Sequence, residues 1–204
     1  MLDPRILRLV AITDDAEDRR GTLVDRMAAA VRGGATSVQV RLKTAPPREV
    51  VEITRAIMIR TSVPVIVNDR ADIALAAGAA GVHVGEADLP VAAIRRFTPE
   101  DFIIGASLGG DAELANAKGA DYVGIGPVFG SESKSDAGSA IGVDGFERLA
   151  RLVELPAVAV GGITAVRALQ ITVHGAIGVA VINAIFTADD PERATRLIAD
   201  AIGK

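Results

Sequence analysis

The 204 residues are half apolar yet only 3% aromatic, so the core of one sizeable domain must be built from Ala, Val, Ile and Leu. Cysteine is absent, which excludes disulfides, thiolate metal sites and a Cys nucleophile. Lys and Arg number 22 against 26 Asp and Glu, and a net charge of −4 without a basic tract argues against a surface that binds nucleic acid by neutralising phosphates.

In chain order, the start Met1-Leu2-Asp3-Pro4-Arg5 lacks the long apolar stretch of a secretory signal. Nor does any apolar run reach the ~18–20 residues of a membrane span, so a cytoplasmic protein is expected. The first β-branched run, Leu9 to Thr13, leads to a helix with Leu23, Met27, Ala30 and Val31 on one face, stopped at Gly33-Gly34. A second strand, Ser37 to Leu42, and a third, Val63 to Asn68, precede a short Ala-rich helix between Ala71 and Ala80 that Gly78 interrupts. Strands follow at Gly81 to Val84, Phe102 to Ala106 and Tyr122 to Gly126, with Gly119 ending the helix before the last of these. Ala157 to Val160 and Ala176 to Ile182 complete the set, and a closing helix carries Ala194, Leu197, Ile198 and Ala201 on one face.

Most of these strands are continuous apolar segments rather than alternating ones, so both faces should be covered. Strand–helix units repeated without an aperiodic linker predict a single (β/α)8 TIM barrel over residues 1–204, short for that fold. The competing doubly wound open sheet lacks Gly-x-Gly-x-x-Gly after its first strand.

In a TIM barrel the chemistry sits at the C-terminal strand ends. Alternation puts Gln39, Arg41 and Lys43 on one side of the second strand, opposite Val40 and Leu42. Three long polar groups aimed at the interior and mouth should bind something, unless they form a rim salt bridge. The third strand ends in Asn68-Asp69-Arg70 and the fourth leads through Gly85 and Glu86 to Asp88. Asp69 and Asp88 are one β/α unit apart at the ends of neighbouring strands, so they can converge, and two carboxylates facing basic residues could share Mg²⁺ with a substrate phosphate. The alternative is that each caps a helix.

Ser107 follows the fifth strand, either donating to a phosphate or starting the next helix. The sixth runs into a long Gly/Ser-rich loop with Ser131, Ser133 and a lone Lys134, either an anion-binding flap or a surface insertion. Gly161-Gly162 and Ile182-Asn183 stand after the seventh and eighth strands, where many barrels bind a phosphate. His83 reads as an interior, packed or hydrogen-bonded histidine, and His174 as a structural one at a helix end. These residues imply two anion sites with a divalent metal between them, suited to joining two phosphorylated small molecules.

The chain resembles the thiamine phosphate synthase family along nearly its whole length. The matching pieces are Ala11-Ile12-Thr13-Asp14, Gln39-x-Arg41-x-Lys43, Val67-Asn68-Asp69-Arg70-Ala71-Asp72 and Gly81-Val82-His83-Val84-Gly85-x-x-Asp88-Leu89-Pro90. They continue with Ile103-Ile104-Gly105-x-Ser107, Asp121-Tyr122-Val123-Gly124-Ile125-Gly126-Pro127-Val128-Phe129, Ala159-Val160-Gly161-Gly162-Ile163 and Gly178-Val179-Ala180-Val181. Single pieces occur in other barrels, whereas this order and spacing are highly specific.

The resemblance implies an enzyme that couples a hydroxymethylpyrimidine diphosphate to a thiazole phosphate, giving thiamine phosphate and pyrophosphate. It implies that Gln39 contacts the pyrimidine and that Arg41, Lys43, Asn68 and Lys134 hold the diphosphate, with Ser107 beside the leaving pyrophosphate. Arg41, Ser107 and Lys134 would carry catalysis, and Asp69 and Asp88 would coordinate Mg²⁺. The backbone around Gly162 and the turn at Ile182-Asn183 would take the thiazole phosphate, and the flap hydroxyls of Ser131 and Ser133 would also bind substrate.

Some positions depart from the family's usual pattern: Glu86 replaces a common Gln, Leu108-Gly109 a Thr-His, Ser131 and Ser133 threonines, and Asn183 a Ser. The rivals are a thiazole tautomerase, which would need the His missing after Ser107, and a silent thiazole phosphate-binding barrel. Small-molecule substrates are the expected partners, with neither nucleic acid nor membrane, and the Ala-rich exterior permits self-association.

Overall fold

The computed structural model describes residues 2–15, 21–130 and 139–203. Its strands are β1 (Leu9–Ile12), β2 (Ser37–Val40), β3 (Val65–Asn68), β4 (Gly81–Val84), β5 (Ile103–Leu108), β6 (Tyr122–Ile125), β7 (Ala157–Val160) and β8 (Gly178–Val181). All pair in parallel, in sequence order, and β8 returns to β1 to close the barrel. The helices are α1 (Leu23–Gly33), α2 (Pro47–Arg60), α3 (Ala71–Ala77), α4 (Val91–Ile94), α5 (Gly142–Val153), α6 (Ala165–Thr172), α7 (Asn183–Phe186) and α8 (Pro191–Ala201). A 3-10 segment, Asp111–Ala117, takes the place of a helix between β5 and β6. None of the described helices is long and apolar enough to cross a membrane.

Strand alternation divides the apolar residues into two sets. Val10, Ile12, Ile66, Tyr122, Val158, Ala180 and Ile182 fill the barrel interior. Their neighbours Ala11, Val38, Val40, Val67, Val82, Ile104, Val123, Ala159 and Val179 face out and pack under the helices. Both faces are therefore apolar, which is why the strands read as continuous runs.

The strand ends differ from expectation by a residue or two. β2 stops at Val40 rather than Leu42, and β3 begins at Val65 rather than Val63, after Pro64, which has no N–H to donate. β5 runs on to Leu108 because its register with β6 continues through Ser107 opposite Gly124 and Leu108 opposite Ile125. α1 and α3 stop where their glycines suggested, with Gly34 and Gly78 at φ of 113° and 78°.

Gly81 lets β4 and β5 approach: a Cβ there would fall 2.2 Å from the Ile103 carbonyl oxygen. Gly81→Ala is expected to lose about 3 kcal/mol, a Tm drop of roughly 6–12 °C in calorimetry. Gly110→Ala is the control, since its Cβ meets nothing.

Candidate active site

The C-terminal ends of the strands open into a cavity of about 840 Å³. β2 brings Arg41 and Lys43 to it. The Arg41 backbone is clamped both ways by Thr13 beyond β1: Arg41 N–H donates to Thr13 Oγ1 at 2.7 Å, and that hydroxyl donates to the Arg41 carbonyl at 3.0 Å. Asp15 Oδ2 accepts the next N–H groups, from Lys43 at 3.0 Å and Thr44 at 3.2 Å. The chain leaving β1 thus fixes the loop that carries both cations.

β3 delivers Asn68 and Asp69, and the turn after β4 delivers Gly85 and Asp88. Asp69 adopts a left-handed backbone, φ 64°, uncommon for a residue with a side chain. Its N–H donates to the His83 carbonyl at 2.8 Å, so pairing with β4 imposes this turn. The N-cap of α3 is Arg70, without a side-chain capping bond, so Asp69 is not a helix cap. Asp88 accepts from the Gly85 N–H at 2.7 Å, and the N-cap of α4 is Pro90. Neither aspartate therefore plays the capping role that the sequence left open.

The two carboxyls lie against each other instead. Burial, then the charge and hydrogen bond of Asp88, push the Asp69 carboxyl up to about 6, while Lys43 and Arg41 pull it the other way. Among the described residues no three His, Cys, Asp or Glu side chains cluster around a metal-sized point. Two carboxylates beside two cations suit a hard divalent ion that takes oxygen ligands and leaves positions for water and a substrate phosphate. The donor set fits Mg²⁺.

Ser107 lies within β5 and lines the cavity, rather than starting the following helical segment, which begins at Asp111. After β7 the chain turns through Gly161 and Gly162, at φ of 97° and 64°. A Cβ on Gly162 would sit 2.5 Å from the Gly130 carbonyl oxygen, so that turn presses directly on the segment leaving β6. β8 leads into α7 at Ile182 and Asn183, which close the wall.

The cavity therefore brings together Arg41, Lys43, Asn68, Asp69, Asp88, Ser107, Gly162, Ile182 and Asn183. Gln39 is not in its wall. It stands one layer below Arg41, in register with Ile12 and Ile66, and is only 4% exposed. Ser131, Ser133 and Lys134 lie outside the described residues. His174 is structural as expected, its Nδ1 3.2 Å from Glu147 Oε2, and His83 is hydrogen-bonded in the interior.

Sequence reasoning missed Glu113, which accepts the Gly109 N–H at 2.9 Å, and Arg167 on α6. Arg167 donates to the Gly162 carbonyl at 2.7 Å and lies over the Phe129 ring, 4.9 Å from its centroid. A usable signal was present for the latter: Thr164 caps α6 by accepting the Arg167 N–H, which sets Arg167 in the first turn beside Gly162.

A sequence profile of the family described as thiamine monophosphate synthase matches residues 9–185. Thiamine-phosphate synthase of Roseiflexus castenholzii is 43% identical over 194 residues, 93% of this chain and 85% of that protein. The same-named protein of Methanoculleus marisnigri is 43% identical over 199 residues, covering 95% and 94%. Among solved structures, thiamine phosphate pyrophosphorylase from Pyrococcus furiosus superposes with a TM-score of 0.87 at 35% identity, over 98% of this chain and 96% of that one. The profile spans β1 to α7 and so takes in every strand end that lines the cavity, and the chain belongs to the thiamine monophosphate synthase family of enzymes.

Proposed function

We propose that this chain couples 4-amino-2-methyl-5-hydroxymethylpyrimidine diphosphate to 4-methyl-5-(2-phosphooxyethyl)thiazole in a Mg²⁺-dependent reaction, yielding thiamine phosphate and pyrophosphate. The observation that carries this reading is the placing of an acidic pair, Asp69 and Asp88, beside Arg41 and Lys43, with the Gly161-Gly162 turn in the same cavity. One group suits a diphosphate with its metal, the other a monophosphate.

Arg41 and Lys43, with Asn68, hold the diphosphate oxygens, and Ser107 donates to the leaving group. The carbon–oxygen bond breaks with its electron pair departing on pyrophosphate, and the thiazole nitrogen captures the pyrimidine cation through a new carbon–nitrogen bond. Asp69 and Asp88 would hold Mg²⁺, which when bound neutralises charge on the diphosphate. No side-chain nucleophile is needed; positive groups fixed before the charge develops, alignment of two rings and exclusion of water supply the acceleration. Backbone at Gly162 and at the Ile182–Asn183 turn takes the thiazole phosphate.

The test is pyrophosphate release with both substrates and Mg²⁺, repeated with each component omitted. Release that requires all three, with thiamine phosphate formed in equal amount, is the expected result. Binding of the thiazole phosphate without release would overturn it and leave a binding barrel.

A further inference from the structure

His83 lies inside β4, only 9% exposed, with its ring between two hydroxyls. Its Nδ1 is 3.0 Å from Tyr122 Oη, and its Nε2 is 3.0 Å from Ser107 Oγ. Ser107 faces the cavity, whereas Tyr122 is buried among the interior apolar residues.

The slot for this pair is made by glycines on the two following strands. A Cβ on Gly105 would lie 2.5 Å from His83 Nδ1 and 2.3 Å from Tyr122 Cζ, and one on Gly124 would lie 2.9 Å from His83 Cε1. A row of polar groups in an interior that also holds Val10, Ile66 and Val158 is costly unless its hydrogen bonds are satisfied and directed.

We propose that His83 is a positioning residue: held by Tyr122, it fixes the Ser107 hydroxyl as a hydrogen-bond donor toward anionic oxygen in the cavity. This rests on the reading of Ser107 as a donor to the leaving diphosphate. The direction of the chain follows from its buried end. Burial pushes the Tyr122 hydroxyl well above its usual range, so it keeps its proton. Among the described residues that hydroxyl has no other hydrogen-bond partner, so it donates to Nδ1. Nε2 then carries the ring proton and donates to Ser107 Oγ, leaving the serine proton free to point outward. In the reverse direction the tyrosine proton would be buried without an acceptor, and Ser107 would turn only lone pairs toward an anion.

Only two histidines are present, so His174→Gln leaves a single imidazole. In that variant, labelled with ¹⁵N-histidine and free of substrates, NMR should show Nε2 protonated and Nδ1 bare. Inorganic pyrophosphate should shift Nε2, and Tyr122→Phe should mix the tautomers. A protonated Nδ1 in the protein that retains Tyr122 would overturn the proposal. This readout needs no turnover, so it stands apart from failure of the coupling reaction.

The kinetic test is a double-variant cycle. His83→Gln should lower kcat by about 10- to 100-fold, and add nothing when Ser107 is already Ala. Losses that multiply would mean that His83 acts on the fold alone. Should His83→Gln fail to fold, Tyr122→Phe, which keeps both rings, serves in the same cycle with the same two outcomes.

Discussion

Asp69→Asn is expected to abolish turnover and to stabilise the metal-free protein. If Asp69 holds Mg²⁺ as proposed, its loss should lower kcat by at least about a thousandfold, because an amide adds no charge to offset that of the cation. The backbone tolerates the change: Asp69 is left-handed, and Asn adopts that region readily. What the change removes is a charge disfavoured by burial and by the neighbouring Asp88. The folded carboxyl is raised from 3.8 to about 6 by burial first and by Asp88 next, so the folded state binds its proton more tightly than the unfolded chain does.

Stability of the unsubstituted protein is therefore lost as pH rises through that window, and the advantage of Asn is absent below about pH 4 and complete above about pH 7. The full shift corresponds to about 3 kcal/mol, and solvent around a half-buried group reduces this to about 1–2 kcal/mol, a Tm gain of roughly 2–8 °C. Calorimetry in EDTA at pH 5 and pH 8 measures it, and Mg²⁺ at pH 8 should close the gap by stabilising only the protein that retains Asp69. Near-normal turnover would remove the metal assignment. A lower Tm at pH 8 would remove the account of a disfavoured charge.

This trade between stability and activity lies in a feature the sequence hid. That Asp69 and Asp88 could converge was legible from their places just beyond the ends of adjacent strands, but whether each caps a helix was not. Capping is excluded by the backbone turn at Asp69, which pairs with the His83 carbonyl on a different strand, and by Pro90 at the N-cap of α4. The barrel itself was legible because burial on both strand faces leaves unbroken apolar runs such as Ala157–Val160, and because Gly34 and Gly78 end helices in the left-handed conformation.

Alternation placed Gln39 and Arg41 on the same face, and the structure agrees. Periodicity reports the face and not the depth, however. Two residues along a strand span roughly 6.6 Å, enough to put Gln39 in a layer below the cavity while Arg41 lines it. The hydrogen bonds of His83 were equally beyond a linear reading, since Ser107 and Tyr122 stand 24 and 39 residues away.

Arg41→Met should show the opposite pattern to Asp69→Asn. The side chain is 8% exposed, and Met keeps much of its stem volume while removing the charge. In the proposed reaction Arg41 is a fixed cation where charge develops on the leaving diphosphate, so kcat/KM should fall about 10²- to 10³-fold. Arg41→Lys should recover only part of this, because a compact ammonium cannot reproduce a planar fork of donors.

Arg41 also holds the Asp69 carboxyl down, so its removal should push that carboxyl higher still. The acid limb of the pH–rate profile should then move to higher pH. In EDTA the Arg41→Met protein should melt below its parent at pH 8, where Asp69 is ionised, and close to it at pH 5, where Asp69 is mostly protonated. In an Asp69→Asn background that pH-dependent loss should vanish, since the charge that Arg41 offsets is gone. A Tm loss equal at both pH values, or undiminished in that background, would show that Arg41 supports the fold by packing rather than by opposing the acidic pair.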